Sequence, residues 1–137
     1  MDNITASIGK EHYAVEIKSP GGNVVIADEP VTNGGQDLGF APQELLIASL
    51  AACTSVTLRM YADRKGWDLE KVLVNISLER DETGTKTIIN RQLQFEGTLD
   101  AKQRERLVAI ANICPVHKIL SQPIEIVTSG DKGSVIW

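Results

Sequence analysis

The sequence predicts an α+β fold, and the order of its segments carries the prediction. Short alternating segments open the chain, a long helical segment follows, and two longer alternating segments precede a second helix. Helices that follow blocks of antiparallel strands in this way are typical of α+β architectures. A chain of 137 residues is also about the size of one domain, which we expect to span residues 1–137.

The composition is that of an ordinary globular protein. Apolar residues make up 42% of the chain and charged residues 23%, which argues against disorder. The formal net charge of −4 disfavours a general binder of nucleic acid or acidic membranes, because phosphate contacts need clustered positive charge. We see no signal-peptide pattern and no apolar run of the roughly 18 residues that a membrane span needs. The expected location is the cytoplasm, where thiols stay reduced.

The first 28 residues are predicted to form strands. His12–Lys18 alternates between apolar and polar residues, and Asn23–Ala27 is short and β-branched. A proline and two glycines at 20–22 supply a turn between them, which is a hairpin pattern. Pro30–Gly39 is rich in glycine and is predicted to be a loop.

A long helix is predicted between Pro42 and Gly66. Proline fits the first helical turn, and Arg64 and Lys65 lie in the last turn, where the helix dipole favours positive charge. The stretch Leu45–Leu58 carries no charge on any side. A helix that is apolar all round must be covered all round, and a monomer of this size can hardly do so. We therefore expect a second subunit to cover part of the helix.

Two strands and a second helix are predicted next. Val72–Arg80 and Ile88–Gly97 alternate as strands and are joined across Asp81–Gly84. Asp100 is a suitable N-cap for a helix over 101–113. Its inner face is predicted to carry Leu107, Val108, Ile110 and Ala111.

The end of the chain is predicted to add a short helix and one or two strands. Pro115 interrupts the second helix, and a short helical piece extends through Leu120. Pro123–Thr128 has the pattern of a last strand, and Ser134–Trp137 is apolar enough to pair.

Two cysteines are the candidate reactive residues. Cys53 lies midway along the long helix, and Cys114 lies at the helix break before Pro115. Each could simply be buried as a small hydrophobic residue. Together they permit dithiol chemistry, because a sulfenic acid formed on one thiol is trapped by a second thiol nearby. A zinc site of Cys53, Cys114 and His117 is disfavoured because it lacks the paired ligands of structural zinc sites.

Dithiol chemistry requires the attacking cysteine as a thiolate. Cys53 is too far along its helix to gain from the helix N-terminus, and apolar surroundings favour the neutral thiol. A cation must therefore come from a tertiary contact. The sequence leaves the choice open among Arg59, Arg91, His117 and Lys118.

The cysteine segments resemble those of the OsmC/Ohr family. Residues 42–46 (PQELL) and 48–54 (ASLAACT) are similar to the central helix of that family. Residues 112–118 (NICPVHK) are similar to its second cysteine segment, and Phe95–Gly97 before the second helix also fits. The C-P-V-H-K form looks closer to the OsmC-like branch than to the organic hydroperoxide resistance branch.

The resemblance implies a fold and an activity. It implies an OsmC-like fold with antiparallel sheets around a long central helix, in an intertwined homodimer with active sites near the subunit interface. It implies a stress-response peroxidase that reduces organic hydroperoxides with thiols, with Cys53 as the peroxidatic and Cys114 as the resolving cysteine. A dithiol would reduce the resulting disulfide. No metal, flavin or other cofactor is implied, and no nucleic-acid or membrane partner.

Two departures from the family pattern leave alternatives open. The family's glutamate directly follows the first helical proline, where this chain has Gln43, so Glu44 is the candidate catalytic carboxylate one residue later. The family's activating arginine has no counterpart before Arg59, and Lys10 is the nearest cation in a comparable stretch. The alternatives are a non-catalytic OsmC-like dimer that binds a small apolar or thiol ligand, and a structural or partner-binding domain with incidental cysteines.

Overall fold

The computed structural model describes residues 3–131, which form five strands and three α-helices. Two sheets are antiparallel, one of three strands near the N-terminus and one of two long strands in the middle of the chain. The elements in chain order are β1 (Thr5–Ser7), β2 (Val15–Lys18), β3 (Val24–Ala27), a 3₁₀ turn (Val31–Asn33), α1 (Pro42–Lys65), β4 (Asp68–Arg80), β5 (Thr87–Thr98), α2 (Ala101–Ala111) and α3 (Pro115–Leu120).

The N-terminal sheet confirms the predicted hairpin. Strand β2 pairs antiparallel with β3 across a turn in which Gly22 has a φ of 87°, a left-handed value that favours glycine. Strand β1 pairs with the other edge of β2. Successive residues of a strand point to opposite faces, yet Val24, Val25 and Ile26 are all exposed. Both faces of β3 are therefore open in the single chain.

Asp28 organises the loop that leads from this sheet to α1. Its buried carboxylate accepts backbone N–H groups from Tyr13, Glu29, Gln36 and Leu38, at 2.7–3.2 Å. Burial by itself raises the pKa of Asp28, but these four bonds lower it more, so that the net pKa lies below its usual value. The carboxylate therefore holds the loop together as an anion.

Helix α1 has the predicted bounds, but only one side of it is covered. Gly66 ends the helix with a φ of 70°. The buried residues recur every fourth position and form what we call the core stripe: Leu50, Thr54, Leu58 and Ala62. Residues on other sides, such as Leu46, Val56 and Met60, are exposed. Residues 3–131 of one chain therefore do not cover α1 on all sides, as its apolar sequence requires.

The core lies where α1, α2 and the β4–β5 hairpin meet. It contains Leu58 and Ala62 of α1, Leu69 of β4, and Leu107, Ile110 and Ala111 of α2. Asp100 caps α2 as predicted, since its side chain accepts the Gln103 N–H at 2.8 Å. Helix α2 ends at Ala111, two residues earlier than predicted.

The prediction that Val108 lies on the inner face of α2 is wrong, because its side chain is 51% exposed. Leu107, Ile110 and Ala111 share one helical face through i, i+3 and i+4 spacing, whereas Val108 is turned about 100° from Leu107.

The predicted last strand at Pro123–Thr128 is also wrong for this chain. These residues have no strand assignment and are exposed, with Ile126 and Val127 each 84% accessible. A strand needs a neighbour for its backbone N–H and C=O groups, and no strand among residues 3–131 pairs with this segment. The prediction for Ser134–Trp137 falls outside the described residues.

Helix α1 is long and apolar enough to cross a membrane, contrary to the sequence expectation. Its most apolar window has a mean hydropathy of 1.5. The core stripe nevertheless packs against β4 and α2. The core helix of a soluble protein can be as long and as apolar as a membrane-spanning helix.

Candidate thiol site

Cys53 opens into an apolar pocket on α1. The pocket has a volume of about 470 Å³, and Cys53 itself is half-buried. Most of its lining comes from one side of α1, which we call the thiol face: Cys53, Val56, Thr57 and Met60. These residues recur at i, i+3, i+4 and i+7, the spacing that brings side chains to one helical face.

The second cysteine segment meets the same pocket. Pro115, the residue after Cys114, forms part of the pocket wall. Cys114 is fully buried and caps the N-terminus of α3, where its Sγ accepts the His117 N–H at 3.3 Å. Both cysteines are free thiols. The fold therefore brings the two cysteine segments, 61 positions apart in sequence, to one place.

Two of the candidate cations, Arg59 and Lys118, make no hydrogen bond to Cys53 among the described residues. Arg59 donates to Asp63 Oδ1 at 2.7 and 3.0 Å and to the carbonyl oxygen of Leu69. Lys118 is exposed on α3. Within residues 3–131, no hydrogen bond joins a cation to Cys53 Sγ.

Arg91 and His117, the other two candidates, lie behind the thiol-bearing turn of α1. Arg91 Nη1 donates to Thr54 Oγ1 at 3.0 Å, and Thr54 is the neighbour of Cys53. Arg91 Nη2 lies 3.0 Å from both Asn112 Oδ1 and His117 Nδ1. Burial lowers the pKa of His117, and the positive charge of Arg91 lowers it further. His117 is therefore favoured in its neutral form.

Glu44 stands at the start of α1 and caps it. Its Oε1 accepts the Ala41 N–H at 2.7 Å. Nine residues separate it from Cys53, about 13.5 Å along the helix axis. Within one chain Glu44 is thus a capping residue, and a pairing with Cys53 would have to cross between subunits.

Sequence reasoning missed three residues of this region. Arg64 contributes to the wall of the Cys53 pocket, and Thr54 and Asn112 hold Arg91. Thr54 could have been found from its i, i+4 spacing to Leu50 and Leu58 on α1. Arg64 could have been found from its i, i+4 spacing to Met60 on the same helix. For Asn112 no comparable sequence signal exists, because its role depends on a tertiary contact.

The part of the chain that the structure describes contains no cluster of three His, Cys, Asp or Glu residues that could hold a metal ion.

A half-buried thiol in an apolar pocket, whose wall includes the residue after a second, buried cysteine, defines a candidate thiol-redox protein of α+β fold. The model of the family described as OsmC-like protein matches residues 34–129. The chain therefore belongs to the OsmC-like family, as the cysteine segments indicated.

Solved structures agree with this assignment. The OsmC-like protein of Mycoplasma pneumoniae is 22% identical, with a TM-score of 0.75 over 88% of this chain and 87% of that one. The organic hydroperoxide resistance protein OhrB of Bacillus subtilis is 26% identical, with a TM-score of 0.60 over 87% of this chain and 89% of that one. The Legionella pneumophila organic hydroperoxide resistance protein OsmC is 23% identical, with a TM-score of 0.63 and 88% coverage of each chain. A search of curated proteins gives no match.

The predicted fold class is confirmed by these relatives. The chain has the mixed α+β fold of the family, with antiparallel sheets and a long helix. Since this is the fold of a soluble family, α1 is the core helix of a soluble protein.

Proposed function

We propose that this chain is a cytoplasmic, thiol-dependent peroxidase that reduces organic hydroperoxides in the response to oxidative or osmotic stress. One observation carries the proposal: Cys53 opens into an apolar pocket whose wall includes Pro115, next to Cys114. Membership of a family that includes organic hydroperoxide resistance proteins supports it.

The two cysteines would act in sequence. The Cys53 thiolate attacks the peroxide oxygen that carries hydrogen, and the O–O bond breaks. The other oxygen leaves as an alkoxide, which takes up the proton lost by the Cys53 thiol and becomes an alcohol. Cys53 is thereby oxidised by two electrons to a sulfenic acid. The Cys114 thiol then attacks that sulfur, which releases water and forms a disulfide. An external dithiol reduces the disulfide and restores both thiols.

The apolar pocket favours peroxides with a hydrocarbon body over hydrogen peroxide. Val56 and Met60 offer side-chain carbon and sulfur rather than hydrogen-bonding groups. An alkyl or aryl group would bury apolar surface there, which stabilises binding by about 25 cal/mol per Å².

We also propose that the active protein is a homodimer with the thiol site near the subunit interface. Three apolar surfaces of the chain remain uncovered: both faces of β3, the thiol face of α1, and the extended segment 123–128. Exposed apolar surface is typical of an interface when it forms a continuous patch. A second copy would cover them and could bring its Glu44 or Lys10 towards Cys53.

Peroxide turnover by cysteine variants tests the peroxidase. Cumene hydroperoxide consumption, with a dithiol as reductant, is measured for Cys53→Ser and Cys114→Ser. We expect Cys53→Ser to lose all turnover and Cys114→Ser to lose most of it. Ser55→Ala is the matched control, because Ser55 lies on the same helix and, within residues 3–131, its hydroxyl bonds only the Ala51 carbonyl. Wild-type rates in both cysteine variants would contradict the proposal.

The alternative is a non-catalytic dimer that binds a small apolar or thiol ligand in the same pocket. It is favoured by one observation, the lack of a cation bonded to Cys53 within the described residues. A wild-type protein that consumes no peroxide, but whose melting temperature rises with such a ligand, would support this alternative.

A further inference from the structure

A second pocket lies where β5, α2 and α3 meet beside Leu50 of α1. Its volume is about 490 Å³, within the range of small-molecule sites. It shares no lining residue with the Cys53 pocket. The polar groups that line it include Arg91, Asn112 and His117, and apolar walls come from Leu50, Leu93 and Val108.

Arg91 occupies a position where the strand pattern calls for an apolar residue. On β5 the half-buried positions alternate as Ile89, Arg91, Leu93 and Phe95, all on the face towards the helices. A charged group in such a row is costly unless it is paired.

The partners of Arg91 in the described chain are all neutral. They are the Thr54 hydroxyl, the Asn112 side-chain oxygen and His117 Nδ1, each at 3.0 Å. None of the ion pairs among residues 3–131 includes Arg91. Since Nδ1 of a neutral His117 accepts from Arg91, the imidazole proton is on Nε2. The guanidinium is thus held in place but its charge is not balanced.

The guanidinium also retains donors for a ligand. Of the five N–H groups of an arginine, Nη1 uses one and Nη2 uses two for the bonds to Thr54, Asn112 and His117. The Nε–H and one Nη1–H have no partner among the described residues. A bound anion would supply both the missing charge and the missing acceptors.

We propose that the Arg91 pocket binds a small monocarboxylate with a compact apolar body. One cation beside a neutral imidazole matches a single negative charge, and charge-assisted bonds to a carboxylate are among the strongest in proteins. The walls formed by Leu50, Leu93 and Val108 match an apolar body. This site does not depend on the peroxidase activity, because neither cysteine lines it.

The first test uses the wild-type protein and two isosteric probes. Isothermal titration calorimetry compares 3-phenylpropionate with 3-phenylpropionamide, which differ in charge but hardly in shape. We expect the carboxylate to bind about tenfold more tightly or better, from its charge-assisted hydrogen bonds. Equal binding of the two probes, or no binding of either, would overturn the proposal. So would equally tight binding of inorganic phosphate, since the site would then recognise anions without the apolar body.

Variants locate the site. Arg91→Gln should abolish the preference for the carboxylate, whereas Arg106→Gln, at an arginine that bonds Tyr61 outside the pocket, should keep it. A second variant should not disturb the fold, because Val108 is exposed and also lines the pocket. Val108→Glu places a competing carboxylate in the wall of the Arg91 pocket and should weaken binding about tenfold, while Val108→Gln should not.

The Arg91 charge could instead be met by a carboxylate of a second copy. Sedimentation of Arg91→Gln separates that case from a free ligand. Unchanged association together with lost probe binding supports the small-molecule site. Weakened association, with no probe binding in the wild type, would contradict it.

Discussion

The core stripe and the thiol face lie on the same helix and have opposite surroundings. The core stripe, from Leu50 to Ala62, is packed by β4, β5 and α2 of the same chain. The thiol face, from Cys53 to Met60, borders an open apolar pocket, and Val56 and Met60 are more than half exposed. One face therefore stabilises the fold, whereas the other is left for chemistry and association.

This difference explains why the apolar character of α1 is unsuited to a free monomer. A soluble surface helix normally has a polar side, whereas the most exposed residues of the thiol face, Val56 and Met60, are apolar. The same feature gives Cys53 apolar surroundings and provides surface for a second subunit. The predictions below perturb one face and not the other.

The largest expected effect follows from truncating the core stripe. Leu58 is fully buried, so Leu58→Ala should lower the free energy of unfolding by about 2–5 kcal/mol through lost burial and a cavity. Urea unfolding monitored by circular dichroism measures this. Lys102→Ala, on the exposed side of α2, is the control and should change stability by about 0.5 kcal/mol or less. A similarly small loss for Leu58→Ala would contradict the assignment of the core.

A charge on the thiol face should break the dimer rather than the fold. Met60 is 59% exposed in the chain, so Met60→Lys leaves the core stripe intact but puts a charge into the proposed interface. We expect sedimentation to show dissociation to monomers, with the far-ultraviolet spectrum retained. Met60→Leu, which conserves the apolar surface, should remain a dimer. A dimer that is equally stable in Met60→Lys would place the interface elsewhere.

A smaller effect on stability is expected from pH, through His117, which contacts Arg91 next to Thr54 of the core stripe. Burial and the Arg91 charge lower the pKa of His117 below its usual 6.5. The unfolded chain therefore binds a proton that the folded chain does not, so the stability should fall as the pH drops below about 6.5 and continue to fall to the folded-state pKa. Histidine NMR titration and thermal melts measure both quantities. Arg91→Gln should move the pKa of His117 upwards, and an unchanged value would contradict the contact between the two residues.

Local signals in the sequence were sufficient for most of the fold. Pro42 and Gly66 mark the ends of α1, and Asp100 marks the start of α2, because caps depend on adjacent residues. The prediction of a strand at 123–128 is wrong because a strand needs a neighbouring strand to pair with, and the alternation of residue types does not show whether one is present. The prediction put Val108 on the inner face together with Leu107, but adjacent residues of a helix point about 100° apart.

The candidate site could be predicted only in part. The cysteine segments identify the family, which residues 34–129 confirm. The choice among cations could not be made, because the place of Arg91 depends on the packing of β5 against α1 and α3. The roles of Cys53, Cys114 and Glu44 stay predictions, and the last of these depends on a second subunit.

The central claim is that Cys53 of the thiol face and Cys114 at the start of α3 form a redox couple. Intact mass spectrometry of the reduced protein, after one equivalent of cumene hydroperoxide, tests it most directly. We predict the loss of two hydrogen atoms per chain, absent in Cys53→Ser and in Cys114→Ser. An unchanged mass with both thiols still free would contradict the account, and the protein would then be an OsmC-like binding protein without the peroxidase.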